Sequence, residues 1–221
     1  MQAQHLATVT IELPVTLAEV KQQLIVDHDD DDVLIARYIV AAMEYAETRT
    51  EVSMRVKRFR VFGRCWPASQ CVILRHGPAR QIESVSYRDS DNTYQTISTD
   101  DWGIYEHLGS TVLEFHNTPP SVGSIRRDAV EVTYLAGYGA IAGAEVNEYG
   151  FPYILPLVLG QSGGAVELTA GSRLPEPFRQ AIYMMVAHWY ENRETVVIGT
   201  ISGKLAHAAD DLLMSGRIFG T

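Results

Sequence analysis

Cysteine is scarce in this 221-residue chain: only Cys65 and Cys71 are present, and they form no CxxC pair. Two thiols cannot build a disulfide framework or a thiolate zinc site, so they read as free thiols in a reducing compartment. Long apolar runs are missing as well. The most apolar stretch, FPYILPLVLG, has ten residues, two of them proline, where a bilayer span needs about 20. The opening MQAQHLATVTIELP lacks both the basic start and the apolar centre of a signal peptide. Positive charge is in short supply: 18 Lys and Arg face 27 Asp and Glu, for a net charge of -9. The molecule as a whole therefore repels nucleic-acid phosphates and anionic membrane rather than seeking them. Signatures of catalysis are also absent: there is no P-loop, no G-x-S-x-G, no G-x-G-x-x-G after a strand and no H-E-x-x-H.

What is present reads as one soluble α+β protein. Thr16 and Glu19 in VTLAEVKQQL form a capping box, which predicts a short helix over 17–24. After the acidic elbow DHDDDD, apolar residues recur at helical spacing from Leu34 to Ala46, and a second helix should run to about Thr48. From Val52 the period changes to two, and CVILR, ESVSYRD, YQTIS, TVLEFH and AVEVTYLAG read as short strands. Residues 137–173 are glycine-rich yet carry large apolar side chains. Pro175 and Pro177 then open a helix with Phe178, Ile182, Met185 and Trp189 on one face, and a shorter helix and tail close the chain. With no βαβ alternation, the expected fold is α+β: N-terminal (1–50) and C-terminal (174–221) helices forming a helical bundle, a central antiparallel β module (51–140), and a glycine-rich loop or docking arm (141–173).

Four clusters are candidates for function. In AIYMMVAHWYENRE, His188 and Glu191 are neighbours at i, i+3, but Glu194 lies about 120° further round the helix, so the three do not converge. No second Glu-x-x-His motif supports a di-iron bundle. A metal-assisted hydrolase using His188 and Glu191, with His207, is the alternative kept in view; the expectation is no metal, no cofactor and no catalytic residue. The run Asp27 to Asp32 fails the spacing of an EF-hand calcium loop, lacking its glycine and its twelfth-position glutamate. It reads instead as carboxylates that cap and offset a helix N-terminus. RVKRFRVFGR places Arg55, Lys57, Arg58 and Arg60 beside Phe59 and Phe62, open to three readings: a nucleic-acid contact, the wet face of a strand, or a docking patch for an acidic partner such as the N-terminal region of a neighbouring copy. Phe151, Tyr153, Ile154, Leu155, Leu157 and Leu159 supply apolar area between glycine-rich flanks, as in an arm whose tip is buried only on assembly.

The chain resembles the head-tail connector (adaptor) proteins of tailed bacteriophages and prophages. The resemblance is carried by LPVTLAEVKQQLIVDHDDDDVLIARYIVAAMEYAETRT, by ILRHGPARQIESVSYRDSDNTYQTISTDDW and VEVTYLAGYG, and by LPEPFRQAIYMMVAHWYENRE. It implies a non-enzymatic virion component, assembled in the host cytoplasm. Copies would form a ring, a dodecamer on the virion, between the portal protein and a downstream tail or stopper protein, with DNA passing through the lumen unbound. It also implies portal docking through the C-terminal segment, here Leu212, Leu213, Met214, Arg217, Ile218 and Phe219. The HWYENRE helix would then make bundle or subunit contacts.

Overall fold

The computed structural model describes residues 1–8, 13–107, 110–123, 126–138, 166–167, 174–192 and 203–215. The chain begins with a strand, β1 (Gln2–Thr8), which the sequence reading did not anticipate. The capping box then holds as expected: Thr16 accepts from the Glu19 amide, and the Glu19 carboxylate accepts from the Thr16 amide at 2.8 Å. Helix α1 (Leu17–Leu24) follows and stops at Ile25, whose left-handed backbone cannot continue a helix. Helix α2 (Asp32–Thr50) runs two residues past its expected end.

Val52, Met54 and Val56 alternate as in a strand and all three are buried, but the strand starts later, at β2 (Lys57–Gly63). Their backbone is satisfied outside a ladder: the Met54 amide donates to Glu47 Oε1 at 3.0 Å, and the Ser53 amide to the carbonyls of His76 and Gly77. Burial pattern alone cannot tell a ladder from a side-chain-capped irregular segment. The remaining strands are β3 (Cys71–Leu74), β4 (Ala79–Arg88), β5 (Tyr94–Thr96), β6 (Trp102–His107), β7 (Ser110–Phe115), β8 (Val130–Ala136) and the two-residue β9 (Val166–Glu167). Helices α3 (Glu176–Glu191) and α4 (Gly203–Ser215) complete the chain.

All pairings between these strands are antiparallel: β1-β2-β8-β4-β5 in one sheet, with β9 beside β4, and β3-β7-β6 in another. The fold is α+β. One apolar core lies between the sheets and includes Phe59, Val61, Leu74, Ile82, Trp102, Leu113, Val132 and Tyr134. Tyr134 is buried at the ring and donates its hydroxyl to the Arg75 carbonyl at 2.6 Å, which satisfies the one polar atom it brings inside. A second core joins the helices, with Ile35, Ile39 and Met43 of α2 against Phe178, Ile182 and Val186 of α3 and Leu213 of α4. At the end of β8, Gly137 has φ +118°, and a Cβ there would lie 2.0 Å from the Arg55 carbonyl oxygen. Only glycine permits that approach.

Candidate assembly surfaces

The histidine-bearing helix α3 serves packing. His188 is half-buried; its Nδ1 lies 3.2 Å from Asn192 Nδ2, and its carbonyl accepts from the same amide at 2.9 Å. Trp189 meets Tyr38 of α2 edge-on with 6.1 Å between centroids, and Tyr190 donates its hydroxyl to Asp31 at 2.7 Å. Glu191 is exposed. Among the described residues no three His, Cys, Asp or Glu side chains gather where they could hold a metal. The Glu194 and His207 side chains lie outside the described residues. His188 and Glu191 thus have no described third group to work with, and the hydrolase alternative has no geometric support.

The acidic elbow is built differently from the expectation. Asp31, the residue before α2, makes no side-chain capping bond; its carboxylate accepts from Tyr190 instead, and so ties the start of α2 to the end of α3. Lys21, on α1, bridges Asp29 at 2.6 Å and Asp32 at 2.8 Å. The hydrogen bond from Lys21 and its charge hold the Asp29 carboxyl below the usual carboxylate range. Asp32 remains in the first turn, where its charge offsets the helix dipole. The elbow is pinned from both sides.

The basic stretch is not a free patch. Lys57 Nζ lies 2.6 Å from Glu47 Oε2, Arg58 makes a forked contact to Glu83 with its closest approach at 2.7 Å, and Arg60 lies 3.3 Å from Glu131. Arg55 lies 3.8 Å from Glu44. Because β2 is an interior strand, its outward cations meet carboxylates on β4, β8 and α2, which a single sequence does not reveal. Arg55, Lys57, Arg58 and Arg60 are therefore corrected from a docking patch to paired struts, with Lys57 joining the sheet to the helices through Glu47.

The C-terminal candidates divide. Leu213 is fully buried among the helices, and Leu212 packs against the same core. Asp210 accepts from Tyr45 and Arg49, both at 3.2 Å, and clamps α4 to α2. Leu213 is thus corrected from a portal contact to a core residue, because the helical spacing of Ala209 and Leu213 turns both inward. Met214 is half-buried. Arg217, Ile218 and Phe219 lie outside the described residues, as do Phe151, Tyr153, Ile154, Leu155, Leu157 and Leu159.

Sequence reasoning missed Arg179. Almost fully buried in α3, it donates to the Pro14 carbonyl at 2.9 Å, to Glu19 Oε1 and to the Tyr183 hydroxyl at 2.9 Å. It locks α3 onto the capped start of α1. Its signal was weak: one cation among the apolar positions of an otherwise amphipathic helix.

The pairing of a capped α1, an acidic elbow and a long α2 with an antiparallel sheet is the region that a family model recognises. Residues 14–95 match phage gp6-like head-tail connector proteins. The resemblance to head-tail connectors holds over that span. No curated protein matches the chain. Among solved structures, a chain from the neck of an empty gene transfer agent particle with C6 symmetry is similar at TM-score 0.68 and 17% identity. A chain from the virion of the native particle gives 0.67 and 17%, and one from its neck with C12 symmetry 0.62 and 18%. Each covers 100% of this chain and is covered over 97% of its own length. At such identities the likeness is one of fold, and it extends over the whole chain.

Proposed function

We propose that this chain is a structural subunit of a head-tail connector ring in a tailed, phage-like particle, with no catalytic role. The observation that carries this reading is the connector-family match over residues 14–95, supported by full-length likeness of fold to proteins of particle necks. The four helices act as the bundle that shapes the subunit, with the HWY segment at the end of α3 making contacts within it. Twelve copies form the ring, in keeping with the C12 symmetry of one similar neck. The ring sits in the virion after assembly in the host cytoplasm, between the portal and a downstream tail or stopper protein.

In this reading Arg217, Ile218 and Phe219 engage the portal, and the run from Phe151 to Leu159 buries its apolar side chains against a neighbour. An excess of nine acidic charges per subunit lets DNA pass through the lumen without adhering, because like charge raises the free energy of contact with phosphate. Negative-stain imaging of the purified protein, alone and mixed with its portal, tests the proposal. Rings, or rings seated on portal particles, are the expected result; a protein that stays monomeric and does not associate with portal overturns it.

A further inference from the structure

The charge on this chain is divided between its two parts. Segments 13–51, 174–192 and 203–215, which hold the helices, carry thirteen acidic side chains against five basic; segment 52–138, which holds β2 to β8, carries nine against ten. Most arginines of the sheet module are paired within the chain, but Arg64, Arg126 and Arg127 are exposed and have no carboxylate partner among the described residues. The topology gathers these three. The β2–β8 ladder ends at the pair Gly63 and Val130, so Arg64 leaves β2 where the turn at 126–129 enters β8. Met1, 43% exposed, lies against Gly63 at the same edge.

A complementary surface exists at the elbow. Ile25 is 92% exposed and Val33 67%, on either side of the turn between α1 and α2. Ile25 is also held at φ 56°, a conformation that disfavours a β-branched residue and that glycine or asparagine would adopt more easily. Asp27 is exposed without a partner among the described residues, and Asp30 approaches only His28, at 4.0 Å. The Lys21 bridge and the Tyr190–Asp31 bond make this projection rigid before any contact forms. The elbow and the arginine edge lie in different parts of the chain, and a heterologous contact that closes a ring needs two such unlike, mutually complementary patches.

Resting on the connector reading, we propose that the α1–α2 elbow of one copy docks on the Arg64, Arg126 and Arg127 edge of the next copy around the ring. Ile25 and Val33 meet the apolar surface around Met1, while Asp27 and Asp30 meet the free guanidinium groups. The acidic N-terminal region does engage arginines of a neighbour, but those beyond β2 and before β8 rather than those within β2.

The test uses the full chain and sedimentation of assembled rings. Asp27→Lys with Asp30→Lys, and separately Arg126→Glu with Arg127→Glu, should each raise the protomer concentration for half-assembly at least about tenfold, with unchanged circular dichroism. Mixing the two charge-reversed proteins should restore assembly, because each supplies the patch the other needs. Ile25→Asn should weaken assembly while raising the melting temperature of the monomer, the opposite of what a folding role predicts. If wild-type rings form but neither reversal moves the half-assembly point, or mixing gives no rescue, the docking assignment is wrong and the connector reading stands. If the Arg126→Glu, Arg127→Glu protein assembles normally but loses retention of double-stranded DNA, the edge serves nucleic acid and the assignment is likewise overturned. A wild type that forms no ring, alone or on portal, removes both.

Discussion

Replacing Arg179 with alanine should destabilise the helical part of the molecule by about 2–3 kcal/mol. Its guanidinium makes three hydrogen bonds, to the Pro14 carbonyl, the Glu19 carboxylate and the Tyr183 hydroxyl. Stripping one partner from a buried charged pair costs about 3–5 kcal/mol. The cost here falls at or below the bottom of that range because the Glu19 side chain is 39% exposed and regains water once freed. For a chain of this size the loss corresponds to a fall in melting temperature of roughly 4–12 °C, read by far-ultraviolet circular dichroism. Arg179→Met keeps the stem against the core and separates lost packing from lost charge.

The pH dependence supplies an independent check. Partial burial pushes the Glu19 carboxyl up, but hydrogen bonds from the Thr16 amide, Arg179 and the Thr16 hydroxyl outweigh it and leave it below its ordinary value. A folded-state value below the unfolded one gives stability that is full above the unfolded value and is lost as pH falls through the folded one. Arg179→Ala should therefore flatten the acid limb of the stability curve, leaving only the part that Thr16 sustains. A loss below about 1 kcal/mol at neutral pH, or an unchanged acid limb, would refute the view that Arg179 locks α3 onto α1.

Leu213→Ala, at a fully buried position in α4, should cost about 2–5 kcal/mol in urea denaturation; an unchanged midpoint would return Leu213 to the surface. Gly137→Ala would place a methyl group 2.0 Å from the Arg55 carbonyl oxygen at φ +118°, so soluble yield and melting temperature should fall sharply, by an amount equivalent to more than about 2 kcal/mol. His188→Ala should cost at most about 1 kcal/mol and release no metal. Stoichiometric zinc or iron in the wild type, lost in that variant, would revive the hydrolase alternative.

Local rules carried the sequence reading a long way. The Thr16–Glu19 box fixed where α1 begins, since the atoms that cap the helix lie three residues apart. Asp89 set the β4–β5 hairpin, its carboxylate accepting from the Asp91 and Thr93 amides at 3.0 Å. The α+β class followed from the switch in hydrophobic period. The connector resemblance was legible because capping, elbow and apolar stripe recur together in one stretch.

Tertiary structure decided whatever depended on a partner distant in sequence. β1 has little apolar alternation of its own and becomes a strand by pairing with β2, which lies far along the chain. The charges of β2 looked available because their partners arrive only through sheet pairing: Glu131 reaches Arg60 across the β2–β8 ladder, and Glu83 reaches Arg58 from β4, the strand beyond β8. The reverse holds for Arg64, Arg126 and Arg127, against which no carboxylate among the described residues is folded. Asp31 could have capped α2, but the longer-range Tyr190 hydroxyl won its carboxylate. Sequence specifies the groups a chain can offer and the local turns that present them; whether a charge is used inside the molecule or left for a neighbour is settled by strand order and helix packing, where contacts between distant residues set the free energy.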